Sequence, residues 1–149
     1  MPGSDGPLTK EYVRSVFQYL EGSGMEHDKF GDYLVDDLSW TIQGTHPLAG
    51  HYKSKKAFQE GALKRIGQCL KSPLTTKVSS ILLDAPWAVV EMTAHGVEAR
   101  AGWPYNNKYC WVCRFEKGMI AEVRAYLDGV MVTRAISEHE SSRTRGLAE

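Results

Sequence analysis

The sequence predicts an α+β domain, with helices gathered in its first half and antiparallel strands in its second. Three observations carry this. Apolar residues recur every three to four positions up to Pro73 and every second position after it, a change from the helical to the extended period. Between 122 and 128, Val123, Ala125 and Leu127 share one face while Glu122, Arg124, Tyr126 and Asp128 share the other. That is a strand with one face buried. Finally, 149 residues at 42% hydrophobic and 24% charged content fit one domain large enough to bury a core.

The elements follow in order. Thr9 is placed to cap a first helix, with Leu8 and Val13 as a hydrophobic staple and Val13, Val16, Phe17 and Leu20 on one face; Gly22-Ser23-Gly24 ends it. A second helix is read over residues 26–35, with Phe30 and Leu34 at i,i+4. Ser39-Trp40-Thr41-Ile42 reads as a strand. Ser54 caps a third helix carrying Phe58, Ala62, Ile66 and Leu70, closed by Pro73. Four strands follow: Val78, Ser80 and Leu82 alternate with Lys77, Ser79 and Ile81; Val90, Met92 and Ala94 with Glu91, Thr93 and His95; Tyr109, Trp111 and Cys113 with Lys108, Cys110, Val112 and Arg114; and the 122–128 strand last. Glu116-Lys117-Gly118 is a hairpin turn, and Asp128-Gly129 leads into a short helix over residues 130–137. Residues 1–6 and the polar end from 140 to 149 read as disordered, leaving a single domain over 7–139. Helices over one side of a curved sheet leave a cleft between the layers, where small-molecule sites tend to lie.

Composition narrows the partners. Eighteen basic residues balance eighteen acidic ones, so no net field favours nucleic acid or an anionic membrane. The longest apolar runs are far too short for a membrane span, and the first residues lack a secretion signal; the expected location is the cytoplasm. Three cysteines do not make a disulfide framework. Cys110-Trp111-Val112-Cys113 has redox spelling, but i and i+3 of a strand point to opposite faces and no second Cys/His pair completes a zinc site. No glycine-rich loop opens a helix, so no nucleotide cofactor has a visible place, and none of any kind is expected.

Candidate chemistry lies on the inward parity of the third of these strands and the segment before it. Tyr105, Asn107, Tyr109, Trp111 and Cys113 share that parity. Two phenols and an amide are costly to bury unpartnered, so either a ligand oxygen meets them or the hydroxyls reach solvent at the rim. Phenols can also stabilise a developing enolate. His46, between Gly44 and Pro47-Leu48-Ala49-Gly50, is the histidine placed nearest a cavity mouth and suits proton transfer. Phe17, Trp40, Phe58 and Met92 serve as core and as cavity wall together. The Glu122, Arg124, Tyr126, Asp128 row reads as a solvated charge ladder or a dimer surface.

The strings Val35-Asp36-Asp37-Leu38-Ser39-Trp40, Gly44-Thr45-His46-Pro47-Leu48-Ala49-Gly50, Gly102-Trp103-Pro104-Tyr105-Asn106-Asn107, Arg114-Phe115-Glu116-Lys117-Gly118-Met119-Ile120 and Arg124-Ala125-Tyr126-Leu127-Asp128 resemble the SnoaL-like branch of the nuclear transport factor 2-like superfamily. The resemblance implies a cone-shaped barrel of a curved, mostly antiparallel sheet with three N-terminal helices over its concave face. It also implies homodimerisation through the outer sheet face. This fold hosts many activities. Where ketosteroid isomerases carry their base the chain has Thr41 or Ile42, their catalytic tyrosine falls near Phe17 and their second acid near Trp111; the arginine and aspartates of limonene epoxide hydrolases fall at Met92, Ala94 and Ala125. Neither triad is present. The resemblance therefore implies a cofactor-independent isomerase or cyclase, or a dehydratase, of specialised metabolism acting on a small hydrophobic or polycyclic, polyketide- or terpenoid-derived substrate. In that reading His46, Tyr105 and Tyr109 are catalytic, and Phe17, Trp40, Ile42, Phe58, Met92, Asn107, Trp111 and Val123 bind substrate. The alternative is a non-catalytic binding or scaffold protein of the same fold.

Overall fold

A computed structural model describes residues 3–22 and 24–148. Thr9 caps α1 (Lys10–Phe17) by accepting the Tyr12 N–H, and a 3-10 turn (Gln18–Glu21) prolongs it. Val13, Val16 and Phe17 are fully buried. The terminating Ser23 lies outside the described residues. α2 (Gly24–Gly31) is shorter than the expected 26–35. Turn bonds from the Asp32 and Tyr33 N–H groups back to Lys29 and Phe30 end it, and the chain enters β1 (Leu34–Ile42) at once. Leu34 and Val35 therefore belong to a strand, and β1 is twice the expected length because Asp36 and Asp37 point to solvent and break its apolar pattern. β2 (Gly50–Tyr52), three residues within a Gly/Pro-rich loop, pairs with it.

Ser54 caps α3 (Lys55–Phe58), which runs through a π turn (Gln59–Leu63) into α4 (Lys64–Gln68). Phe58, Ala62, Ile66 and Leu70 are buried as their spacing predicts. β3 (Thr76–Asp84), β4 (Trp87–Ala94), β5 (Lys108–Glu116) and β6 (Met119–Leu127) form the expected antiparallel meander. A bulge between Val78 and Ser80 switches the face of β3, so Val78 and Ile81 turn inward while Leu82 is 58% exposed. Lys117 and Gly118, both at positive φ, make the two-residue β5–β6 turn. A Cβ at Gly118 would collide with the Ser4 backbone and the Tyr12 hydroxyl, so glycine is required there for space as well as conformation. Ser4 itself donates to the Lys117 carbonyl, which ties part of the expected disordered N-terminus to the sheet; Met1 and Pro2 lie outside the described residues.

The six strands run in the order β2-β1-β6-β5-β4-β3, antiparallel throughout except where β1 lies parallel to β6. Bulges in β1, β3 and the β5–β6 pair bend the sheet, and the sheet is open rather than closed, so β2 and β3 are free edges. The last helix, α5 (Gly129–Ala148), begins where the Asp128 carboxylate accepts the Val130 and Met131 N–H groups. It runs past the expected end at 137 and through the segment read as a disordered tail. Arg65 holds it from α4 by a two-pronged bond to Glu140 at 2.9 and 3.0 Å. On the outer sheet face, Arg114 pairs with Glu116 and Glu122, Arg124 reaches Glu122 at 3.6 Å and its guanidinium lies 4.5 Å over the Trp87 ring. The polar row of β6 is the charge ladder its parity predicts.

Candidate functional site

The helical layer and the concave sheet face enclose a cleft with two chambers that share part of their wall, one beside α5, called inner, and one beside α2, called outer. The inner one, about 40 Å³, is lined by Trp40 and Ile42 from β1, Phe58 and Ala62 from the third helical run, Tyr105, Tyr109 and Trp111, and Val132 of α5. The outer one, about 250 Å³, is walled by His27, Phe30 and Gly31 of α2, Gln59 and Leu63 of the π turn, Thr76, Tyr109 and Trp111. Phe58, Leu63, Ile66, Leu74, Tyr109 and Trp111 face both. None of the described residues lining either chamber is an aspartate, glutamate, lysine or arginine.

Aromatic rings build the wall. Trp40 stacks on Phe58 at 3.8 Å and meets Trp111 edge-on at 4.8 Å; Phe17 and Phe30 pack against Trp111 from the helical side. Such pairs fix ring orientation beyond simple burial. Phe17, Met92 and Val123 are 0–1% exposed and belong to the core behind this wall, not to its surface. Of the expected substrate-binding side chains, Trp40, Ile42, Phe58 and Trp111 face the cleft.

The polar groups are arranged as a chain. Asn107 is fully buried; its Nδ2 donates to the Tyr105 hydroxyl at 3.0 Å and to the Asp128 carbonyl at 3.2 Å, and its Oδ1 accepts the Asp128 N–H at 2.9 Å. All its capacity near Asp128 is used in joining β5's approach to the start of α5, so Asn107 is a structural tie rather than a ligand contact. The Tyr105 and Tyr109 hydroxyls lie close enough to perturb one another. At most one of their two protons can be taken up between the two oxygens, and the Tyr105 oxygen already accepts from Asn107, so at least one phenolic proton is left without an acceptor among the described residues. Burial pushes both phenols above their ordinary range, Tyr109 the further, because desolvation penalises the phenolate. At neutral pH they are donors and not bases.

His46 lies elsewhere. Its Nε2 bonds to the Gln43 carbonyl at 3.0 Å and its Nδ1 accepts the Leu48 N–H at 3.2 Å, which occupies both ring nitrogens and defines a neutral tautomer. It borders a shallow outer groove with Thr45, Leu127, Gly129, Thr133 and Arg134, not the cleft. The sequence placed it correctly at a loop but could not show that the loop folds its own backbone around the ring. Two buried nitrogens, His27 Nε2 and Trp40 Nε1, have no hydrogen-bond partner among the described residues. Sequence reasoning missed His27, whose setting Glu26-His27-Asp28 reads as the polar face of a short helix. Among the described residues no group of three or more His, Cys, Asp or Glu side chains gathers as a metal site would require, and no helix is long and apolar enough to cross a membrane.

Residues 13–123 match the SnoaL-like domain family. The chain belongs to that family. The SnoaL-like chain is 30% identical over 137 residues to the dimerizing cyclase phiC of a fungal species, covering 89% of the chain and 59% of the relative. It is 32% identical over 112 residues to the dimerizing cyclase tstC of Talaromyces stipitatus, covering 72% and 49%. It thus spans roughly half of each of these relatives. In structure it resembles an NTF2-like protein from Burkholderia thailandensis at TM-score 0.67 and 17% identity, over 87% of this chain and 98% of that one. The SnoaL-like domain accordingly has the NTF2-like fold, an α+β cone with its helices on the concave side.

Proposed function

We propose that this SnoaL-like protein is a cofactor-independent isomerase or cyclase that moves a proton on a small carbonyl compound held in the cleft. The observation that carries this is the phenol pair: Tyr109 faces both chambers, and the Asn107–Tyr105–Tyr109 chain leaves one hydroxyl proton to donate. A carbonyl oxygen accepting it would be stabilised as it becomes an enolate, because a buried donor is already in place. The kinship to two proteins named dimerizing cyclases supports ring-forming or isomerising chemistry. The apolar, uncharged lining favours a neutral polyketide- or terpenoid-derived substrate, and a 250 Å³ outer chamber, just under the ~300–1,000 Å³ of drug-sized sites, suits one or two rings. Dehydration would use the same donor.

A second copy of the chain is proposed to pack on the outer sheet face, where Leu82 and Tyr126 are exposed beside the Trp87–Arg124 contact. The inner chamber's small volume and its lack of a carboxylate favour the second reading, a binding protein without turnover. The two readings separate in one experiment. The purified protein is incubated in D2O with 2-tetralone, a two-ring ketone whose α protons are readily enolised, and deuterium uptake is followed by NMR. An isomerase speeds uptake over buffer, and Tyr109→Phe lowers that rate by ~100-fold or more; binding of 2-naphthol, an enolate mimic, with no exchange identifies the binding protein.

A further inference from the structure

An enolising site needs a base as well as a donor, and the protonated phenols cannot supply it. Of the side chains lining the outer chamber, His27, Gln59, Thr76 and Tyr109 are polar. Gln59 and Thr76 do not take up protons, and Thr76 already donates to the Leu20 carbonyl. His27 remains. Its Nε2 is buried and has no partner among the described residues, a costly arrangement for an imidazole nitrogen unless something in the chamber meets it. It belongs to α2, in the helical layer, whereas Tyr109 belongs to β5 in the sheet, and both line this chamber.

We infer that His27 is the proton acceptor of this cleft, working across the outer chamber from Tyr109 on an enolisable ketone; the inference rests on the proton-transfer reading above. In the step, Nε2 takes the proton from the carbon next to the carbonyl. That C–H bond breaks as the N–H bond forms, its electron pair becomes the new C=C bond, and the carbonyl pair moves to oxygen, where the phenol donates. Return of the same proton from the imidazolium to the γ carbon of an unsaturated ketone re-forms the carbonyl and shifts the double bond. Nothing is oxidised or reduced. Imidazole is suited to both halves, since the same nitrogen can accept the proton and return it.

The test uses the full chain and the same two probes. His27→Gln keeps a polar side chain of similar reach but removes the base, and His27→Phe removes polarity altogether. Both are expected to slow deuterium uptake into 2-tetralone by ~100-fold or more while 2-naphthol affinity changes by less than about 3-fold for His27→Gln, since the phenol that holds oxygen is untouched. Circular dichroism melts verify that each variant is folded, and if His27→Phe is not, His27→Gln carries the test alone. Exchange in His27→Gln within about 3-fold of the parent protein would overturn the role of His27 and leave the proton-transfer reading standing. A parent protein that neither exchanges 2-tetralone nor binds 2-naphthol would overturn both. Loss of naphthol binding together with exchange in His27→Gln would make His27 a wall of the chamber and overturn its role as the base.

Discussion

Asn107→Ala offers the most direct test of how the cleft is held together. Asn107 is fully buried and makes three hydrogen bonds, to the Tyr105 hydroxyl and to both backbone groups of Asp128. At about 1 kcal/mol net for each bond, the substitution costs roughly 3 kcal/mol, because Asp128 is exposed and water can re-solvate its backbone in part, while the small cavity left behind adds to the loss. For a chain of this length ~1 kcal/mol moves the melting point by about 2–4 °C, so a fall of roughly 6–12 °C is expected in a thermal melt followed by circular dichroism. A double-mutant cycle with Tyr105→Phe should return a coupling of about 1 kcal/mol, the shared bond. Asn107→Ala within about 1 kcal/mol of the parent in urea titration would refute the assignment of Asn107 as a tie between strand and helix. It would return the residue to the role of ligand contact.

Three further outcomes follow from the same geometry. His46→Ala removes two bonds to loop backbone and should cost about 1–2 kcal/mol of stability while leaving exchange of 2-tetralone unchanged, since the ring faces the outer groove; a large loss of exchange would place His46 in the chemistry after all. N-ethylmaleimide at pH 8 should modify half-exposed Cys110 first and Cys113 only on unfolding, because Cys113 is fully buried and burial pushes its thiol far up; if two sheet faces meet in a dimer, labelling of Cys110, read by mass spectrometry, slows as protein concentration rises. Arg65 holds the Glu140 carboxyl below its ordinary range, so the pair contributes stability above the unfolded-state pKa and loses it as pH falls through the folded value. With both side chains more than a third exposed the effect is under ~1 kcal/mol: Arg65→Ala should melt slightly lower at pH 7, and the gap should narrow as pH falls, down to what the Arg65 bond to the Pro47 carbonyl contributes.

What the sequence revealed depended on how local the signal was. Caps at Thr9 and Ser54, the helical spacing of Phe58, Ala62 and Ile66, and the two-residue period of β4 to β6 are written within a few residues, and each forms as read. The misreadings have local reasons too. Asp36 and Asp37 hid the first half of β1, three residues among glycine and proline hid β2, and a polar run hid the length of α5, which is fixed by Arg65 some 75 positions away. For the site, inward parity found Tyr105, Asn107, Tyr109 and Trp111, but parity says that a group is buried and not whom it meets. Asn107's partner lies 21 positions on. His27 carried no sequence signal at all: only the packing of α2 over β5 sets it on the wall of the cleft.

The parallel pairing of β1 with β6 has a consequence for the order in which the molecule assembles. β3 to β6 are joined successively to their neighbours, β5 and β6 by a two-residue turn, so the meander closes over short stretches of chain. β1 must return across the whole of the intervening chain to set Leu34 beside Ile120 and Trp40 beside Val123, and long loops close late because their entropy is lost before contacts compensate it. The cleft draws Trp40 and Phe58 from the late half and Tyr109 and Trp111 from the early one. It therefore exists only in the finished molecule. Partial opening at the β1–β6 seam therefore breaks the cleft's wall while most of the sheet persists, and a ligand held as proposed would bridge that seam as a clasp between the two halves of the chain.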